Sequence, residues 1–339
     1  MADAVSDFPS FTQQNDYLYA SVWNEAWPET VKVVFEETPL MKSILTRKRM
    51  KPQRGGNVIE VPLVYKKNPN VGVIERGGEI EVEDYQPLTN ARYEWRYTYA
   101  SLVRYRTDEQ KNQGKYKRLD IVKENVDATR LTLTDMFEEI AFGDGTYNGL
   151  TAPNGLQQLI TDDGTGTVGG ITADTYTWWK NQFVDGGSYV AINNTFLTGL
   201  GHLIHLCMKW GAKPKNMYML CDLATYEKLE LNLQLRFQFQ AQSGATVGDP
   251  TFQRLEFKGI PIYLCHKCRA NTLYVIDDTF LKFVYDPGMF MTMDEWITMA
   301  NNLERVAHIV SAWQLVVSNR RALGVYFDTD EAWEWNQTS

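Results

Sequence analysis

The chain has 339 residues and a mass of 39.0 kDa, enough to bury roughly 75% of its unfolded surface and to build a sizeable core without metal or disulfide staples. Its net charge of −8 and pI near 5.2 argue against a protein whose main task is gripping phosphate backbones, which needs clustered Lys and Arg. No run of about 20 apolar residues is present to span a bilayer, and MADAVSDFPS lacks the basic end and apolar core of a secretory signal, so the expected compartment is a cytoplasm.

Charge is laid out in blocks. The first 40 residues carry seven acidic side chains against the single basic Lys32, whereas Met41 to Asn70 holds eight Lys or Arg against only Glu60. Such runs usually form solvated faces. The sharper reading is an acidic arm of one subunit meeting a basic loop of its neighbour, with complementary charge steering the encounter.

From Gly55 to Arg106 the pattern is β. Asn57 to Val64 alternates, and Arg92 to Arg106 is rich in aromatic and β-branched residues, predicting one strand on each side of a Pro- and Gly-containing excursion. A two-armed excursion of this kind has little core of its own and would be marginal alone. It therefore reads as a segment built to lie on another subunit.

A long helix is predicted from Tyr116 to Phe142, since Leu119, Val122, Val126, Leu133, Phe137 and Ile140 recur at helical spacing. It would be about 40 Å long, with Gly143 as its C-terminal cap. Phe142 to Asn181 then reads as a junction: a polar turn, a short apolar segment from Gly155 to Ile160, a Gly-rich flexible link, and a helix from about Ala173 to Phe183. Beyond it, helices are predicted from Thr195 to Trp210 and Leu223 to Leu233, and strands at Met217 to Cys221, Gly259 to Cys265, Thr272 to Ile276 and Leu281 to Tyr285. Ser243 to Pro250 has loop composition, and β periodicity returns near the C-terminus.

Few residues suggest chemistry. Gly164, Gly166 and Gly169 have GxGxxG spacing, but Asp162 and Asp163 precede them and would repel a pyrophosphate. Cys265-His266-Lys267-Cys268 supplies half a zinc site that His202, His205 and Cys207 could complete; the plainer reading is a pair of reduced thiols in a hairpin turn. The other cysteine, Cys221, is also expected as a free thiol. Glu138-Glu139, Asp162-Asp163 and Asp277-Asp278 invite a hydrolase reading, yet adjacent residues on one element rarely converge on one bond. Tyr176, Trp178 and Trp179 read as core and interface anchors, with a sugar platform as the alternative, and Trp333 and Trp335 in the acidic C-terminal tail call for cover by a neighbour. No catalytic residue, metal or cofactor is expected.

Four stretches carry a resemblance. FGDGTYNGLTAPNGLQQLI leading into GGITADTYTWWKN, RGGNVIEVPL at Arg54 to Leu63, the run from Phe257 to Pro287, and RVAHIVSAWQLVVSNRRALGVYF at Arg305 to Phe327 together resemble the major capsid proteins of tailed bacteriophages. The resemblance implies the α+β Hong Kong 97-type fold, divided into an N-terminal arm (1–53), an extended loop (54–106), a peripheral domain with a spine helix and closing strands (107–149 and 288–339) and an axial domain (150–287). It further implies a non-enzymatic protein that self-assembles into hexamers and pentamers of an icosahedral shell around double-stranded DNA, located in the virion and assembled in the host cytoplasm. Only some 50 residues precede the loop, so a separate scaffolding protein is expected, together with a portal and an optional decoration protein, sequence-independent contact with DNA, and no membrane. The subunit-interface residues expected on this reading are Trp23, Trp27, Arg47, Lys48, Arg49, Arg54, Lys66, Lys67, Glu75 and Arg76. The alternatives are an encapsulin-like enzyme compartment, which shares the fold, and a soluble α+β enzyme.

Overall fold

A computed structural model describes residues 39–76, 79–80, 82–105, 115–186, 195–237, 255–298 and 304–327. Trp23, Trp27, the acidic stretch before Pro39, the predicted loop at Ser243 to Pro250, and Trp333 and Trp335 lie outside the described residues.

The first described element, α1 (Pro39–Thr46), opens on a proline, whose fixed φ suits a first helical turn, and buries Leu40, Met41 and Ile44 on one side. A short strand, β1 (Met50–Pro52), follows. β2 (Val58–Val64) and β3 (Leu88–Glu94) form an antiparallel pair in which Ile59 faces Tyr93 and Val61 faces Ala91. Ile59, Leu63, Ala91 and Tyr93 point inward while their neighbours point out, as a two-residue period requires. The single strand expected from Arg92 to Arg106 is in fact two: the chain breaks at Trp95, and β4 (Arg96–Tyr105) leaves the pair for a larger sheet.

The 28-residue helix α2 (Lys115–Phe142) has the predicted extent, and Val126, Leu133, Phe137 and Ile140 form its buried face. Gly143 does not act as a left-handed cap; the positive φ of 87° comes two residues later, at Gly145. Short strands β5 (Thr146–Tyr147) and β6 (Leu150–Thr151) pair, and a single turn, α3 (Leu156–Leu159), follows. The Gly-rich run expected as a flexible link is an ordered hairpin, β7 (Thr167–Val168) with β8 (Ile171–Thr172). The helix expected from Ala173 to Phe183 is absent. A 3-10 turn at Thr177–Trp179 and β9 (Gln182–Asp185) stand in its place, because Trp179 buries its ring and donates to the Val168 carbonyl at 3.0 Å, and the Asn181 side chain donates through Nδ2 to Thr161 O at 2.7 Å.

The remaining elements are α4 (Thr195–Lys209), β10 (Met217–Cys221), α5 (Leu223–Phe237), β11 (Glu256–Phe257), β12 (Ile260–Leu264), β13 (Thr272–Asp277), β14 (Leu281–Tyr285), β15 (Thr292–Met293), β16 (Ile297–Thr298), β17 (Glu304–Val317) and β18 (Gly324–Phe327). They complete two six-stranded sheets. In the first, the 14-residue β17 pairs along one edge with β4, and along the other with β14, β15 and β16 in turn; β1 adds to β14 in parallel. Helix α2 covers this sheet through Phe137, whose ring stacks on Trp313 at 5.0 Å, and Phe283 stacks on Trp313 at 5.1 Å. Such offset aromatic stacks bury large area in a fixed geometry.

The second sheet runs β11-β12-β10-β13-β18-β9, with α4 packed on β9 and β18. Leu200, Leu203, Ile204 and Cys207 of α4 form a separate cluster with Met217, Met219 and Val275. The predicted closing stretch Arg305 to Phe327 therefore splits between sheets, β17 in the first and β18 in the second, while β14, just before Pro287, belongs to the first. Cys265-His266-Lys267-Cys268 is not a hairpin turn either: β12 and β13 lie on opposite sides of β10, and the turn carries the chain across it.

Candidate interaction surface

Beyond β2 and β3 the chain continues through residues 65–87 with no described strand or helix. It is held to itself by side chains and a backbone hydrogen bond instead. Asn70 acts like a strand partner, donating through Nδ2 to the Glu83 carbonyl at 2.9 Å and accepting from the Glu83 amide at 2.8 Å; the Tyr65 amide donates to Pro87 O at 3.1 Å, and the Tyr85 hydroxyl donates to Lys66 O. Val71, Val73, Ile74, Ile80 and Val82 stand outward on this arm, Val73 fully and Ile80 and Val82 at 75% and 80%. So many exposed aliphatic side chains on one excursion mark an interaction site.

The root of the arm is rigid. Gly169 accepts the Arg92 amide at 2.8 Å, has a φ of 61°, and would place a Cβ 2.9 Å from that of Ala91, so only glycine allows the β7–β8 hairpin to press on β3. Tyr65 stacks on Trp178 at 5.4 Å. Arg320, fully buried, donates to Leu159 O at 2.8 Å, and to Thr161 Oγ1 and Thr165 O at 2.9 Å, fixing the junction beneath the root. Burial in this carbonyl-lined site lowers the Arg320 pKa to about 10.

Lys66, Lys67, Glu75 and Arg76 lie exposed on the arm, and Arg54 is exposed before β2. Arg47 and Arg49 instead face inward to Asp278, at 2.8 and 3.6 Å, and tie α1 and β1 to the turn before β14; Lys48 between them is exposed with a φ of 55°. The arm's aliphatic residues and the Asn70 clamp were not among the sequence candidates. Their signal in the sequence is the apolar NVGVI run beside Gly and Pro, set among more conspicuous charged residues.

The chemical alternatives are dispersed. Asp277 accepts from the Lys213 and Thr279 amides, each at 2.8 Å, so with Asp278 it is structural. Asp162 pairs with Arg269, and Asp163 accepts from the Thr165 hydroxyl and amide, which hold its carboxyl below the usual carboxylate range. Cys265 and Cys268 are buried in the first core and Cys207 in the second, while His202 and His205 are on the exposed side of α4; among the described residues no three potential ligands gather around one metal position. A cavity of about 290 Å³ between β4 and α2, bounded by Tyr99, Thr132 and Met136, has Tyr99 as its single titratable lining group among the described residues.

No family model and no curated protein matches the chain. Solved structures do. It superposes on the cyanophage A-1(L) capsid asymmetric unit with a TM-score of 0.65 at 14% identity, covering 86% of this chain and 92% of that one. The capsid of an empty GTA particle gives a TM-score of 0.56 at 14% identity over 84% and 90%, and the satellite phage P4 procapsid with its size determination (Sid) protein gives 0.50 at 12% over 94% and 98%. The likeness is one of fold: the chain has the α+β Hong Kong 97-type fold of tailed-phage capsid proteins.

Proposed function

We propose that this chain is the major capsid protein of a tailed bacteriophage, self-assembling into hexamers and pentamers of an icosahedral shell that packages double-stranded DNA. The observation that carries the reading is the arm of residues 65–87, clamped by Asn70, rigid at its root and lined by outward Val71, Val73, Ile74, Ile80 and Val82. Such a surface gains nothing in an isolated monomer, and the body of the same subunit is already packed without it. Laid on a neighbouring subunit, the arm buries apolar area, and many such modest contacts sum around a closed shell.

In this reading the arm and the segment before Pro39 cross subunit boundaries, the first sheet with α2 is the peripheral part, and the second sheet with α4 is the axial part. The boundary near residue 150 is kept, but the return to the peripheral part moves from near residue 287 to before β14, and β18 goes back to the axial part. Lys66, Lys67, Glu75, Arg76 and Arg54 belong to the inter-subunit contact. Arg47 and Arg49 set the position of α1 through Asp278. The protein turns over no substrate; its partners are itself, a separate scaffolding protein, a portal and an optional decoration protein, and it resides in the virion after assembly in the host cytoplasm.

Electron microscopy of the protein expressed alone and together with its neighbouring genes tests the proposal. Closed shells of uniform diameter are the expected result, and DNA rather than enzyme cargo inside particles from infected cells separates a virus from a compartment. Monomers under every condition would overturn it.

A further inference from the structure

Two acid-free basic segments, far apart in the chain, meet at one end of the second sheet. Pro39 to Ile59 holds six Lys or Arg and no Asp or Glu, and Thr195 to Cys221 holds Lys209, Lys213 and Lys215 with no acid, in a chain that carries 42 acidic residues. The Lys213 amide donates to Asp277, the Asp278 amide donates to Asn216 O at 3.3 Å, and Arg47 pairs with Asp278. The two carboxylates at this junction are thus buried and already engaged.

What remains outward is positive. Lys209, Lys213 and Lys215 are exposed, and among the described residues no ion pair holds them or Arg321. Trp210, held by an Asn319 side-chain hydrogen bond to its carbonyl at 3.0 Å, takes the Arg321 guanidinium over its ring at 4.1 Å and the Lys209 ammonium at 5.6 Å. An aromatic ring gripping two cations orders them before any partner arrives.

Resting on the capsid reading, we propose that the connection between α4 and β10, with Lys209 and Arg321 on the Trp210 ring and the exposed Lys213 and Lys215 just after it in the chain, contacts the phosphodiester backbone of packaged double-stranded DNA and so marks the inner face of the shell. Charge density favours this partner over the chain's own acidic arm. A duplex offers a phosphate about every 1.7 Å of axis, whereas the arm's acids are dilute, seven in 40 residues. The contact reads no sequence, because no groove-reading element accompanies it.

The test is fluorescence anisotropy of the full-length protein with a labelled mixed-sequence DNA duplex, for wild type, Lys209→Gln/Lys213→Gln/Lys215→Gln/Arg321→Gln, the milder Lys213→Gln/Lys215→Gln, and the control Lys66→Gln/Lys67→Gln. Four phosphate contacts predict a roughly hundred-fold loss of wild-type affinity between about 50 and 200 mM salt. The patch variants should bind at least about tenfold more weakly at the lower salt, with a flatter slope, while the control matches wild type. Equal loss in patch and control variants, no loss in either patch variant, or tighter binding of a synthetic peptide of residues 1–38 that displaces the duplex would overturn the proposal. Particle formation is read separately by sedimentation, so shells that assemble yet do not lose DNA in the patch variants sink this inference alone, and absence of shells in the wild type sinks the capsid reading alone.

Discussion

Tyr93 and Val317, separated by 224 residues, share two hydrogen bonds: the Tyr93 hydroxyl donates to the Val317 carbonyl at 3.0 Å and accepts from its amide at 3.3 Å. The contact joins the root of the arm to the end of the longest strand, so the direction of the arm is set by the core. Tyr93→Phe strips a buried amide of that partner and should lower unfolding free energy by about 1–3 kcal/mol in urea denaturation. A change below about 0.5 kcal/mol would show that the linkage does not bear on stability.

Burial raises the pKa of Tyr93, Tyr218 and Tyr274 above the ordinary 10.0, and of Cys207, Cys221 and Cys265 above the ordinary 9.0, with Cys268 pushed up to about 12. The folded state keeps these protons while the unfolded chain releases them. Their stabilising contribution is therefore complete below the ordinary values and is lost as pH climbs from them towards the folded-state values. Circular dichroism melts should show level stability up to about pH 8, then a fall of about 1.4 kcal/mol per pH unit for each ionising group. A melting temperature unchanged to about pH 11 would contradict this placement of the seven groups.

Asp278→Asn removes the carboxylate that holds Arg47 and Arg49. Because both guanidinium groups are about 30% exposed, solvent screens part of the loss, and the expected cost is about 1–3 kcal/mol. Hydrogen exchange should show α1 and β1 losing protection first, with the second sheet unchanged. Uniform loss across both sheets would mean that Asp278 supports more than this segment.

Gly155 sits where a Cβ would lie 2.2 Å from Gly143 O and 2.4 Å from Ile140 O, both backbone atoms that cannot swing away. Gly155→Ala should force the α2–α3 junction apart and cost about 3 kcal/mol or more, read as loss of soluble yield and a lower melting temperature. Wild-type behaviour would show that the junction yields freely.

Much of the fold was legible because its signals were local. Helical spacing of Val126, Leu133, Phe137 and Ile140 gave α2, and apolar runs gave β10, β13 and β14 nearly to the residue. What was hidden depended on distant partners. Arg92 to Arg106 reads as one aromatic-rich strand until β17 claims only the part after Trp95, and Ala173 to Phe183 looks helical until Val168 takes the Trp179 ring nitrogen and Thr161 takes the Asn181 side chain. At the candidate surface, the charged Lys66, Lys67, Glu75 and Arg76 are the residues that stand out in the sequence. The aliphatic face beside them shows its meaning only once the core is seen to be complete without it.

That face gives the functional prediction. Val73→Asp should leave the unfolding free energy of the free subunit within about 0.5 kcal/mol of wild type, since the side chain is fully exposed, yet block assembly by placing an unpaired charge at an apolar contact. Sedimentation velocity distinguishes subunits from particles. Normal particles from this variant would remove the arm from the inter-subunit contact.

Cryo-electron microscopy of the assembled wild-type particle tests the central claim most directly. The account predicts a closed icosahedral shell in which residues 65–87 of each subunit lie against the body of a neighbour, with Val71, Val73 and Ile80 covered. A protein that stays monomeric, or a particle in which the arm stands free of every neighbouring subunit, would contradict it.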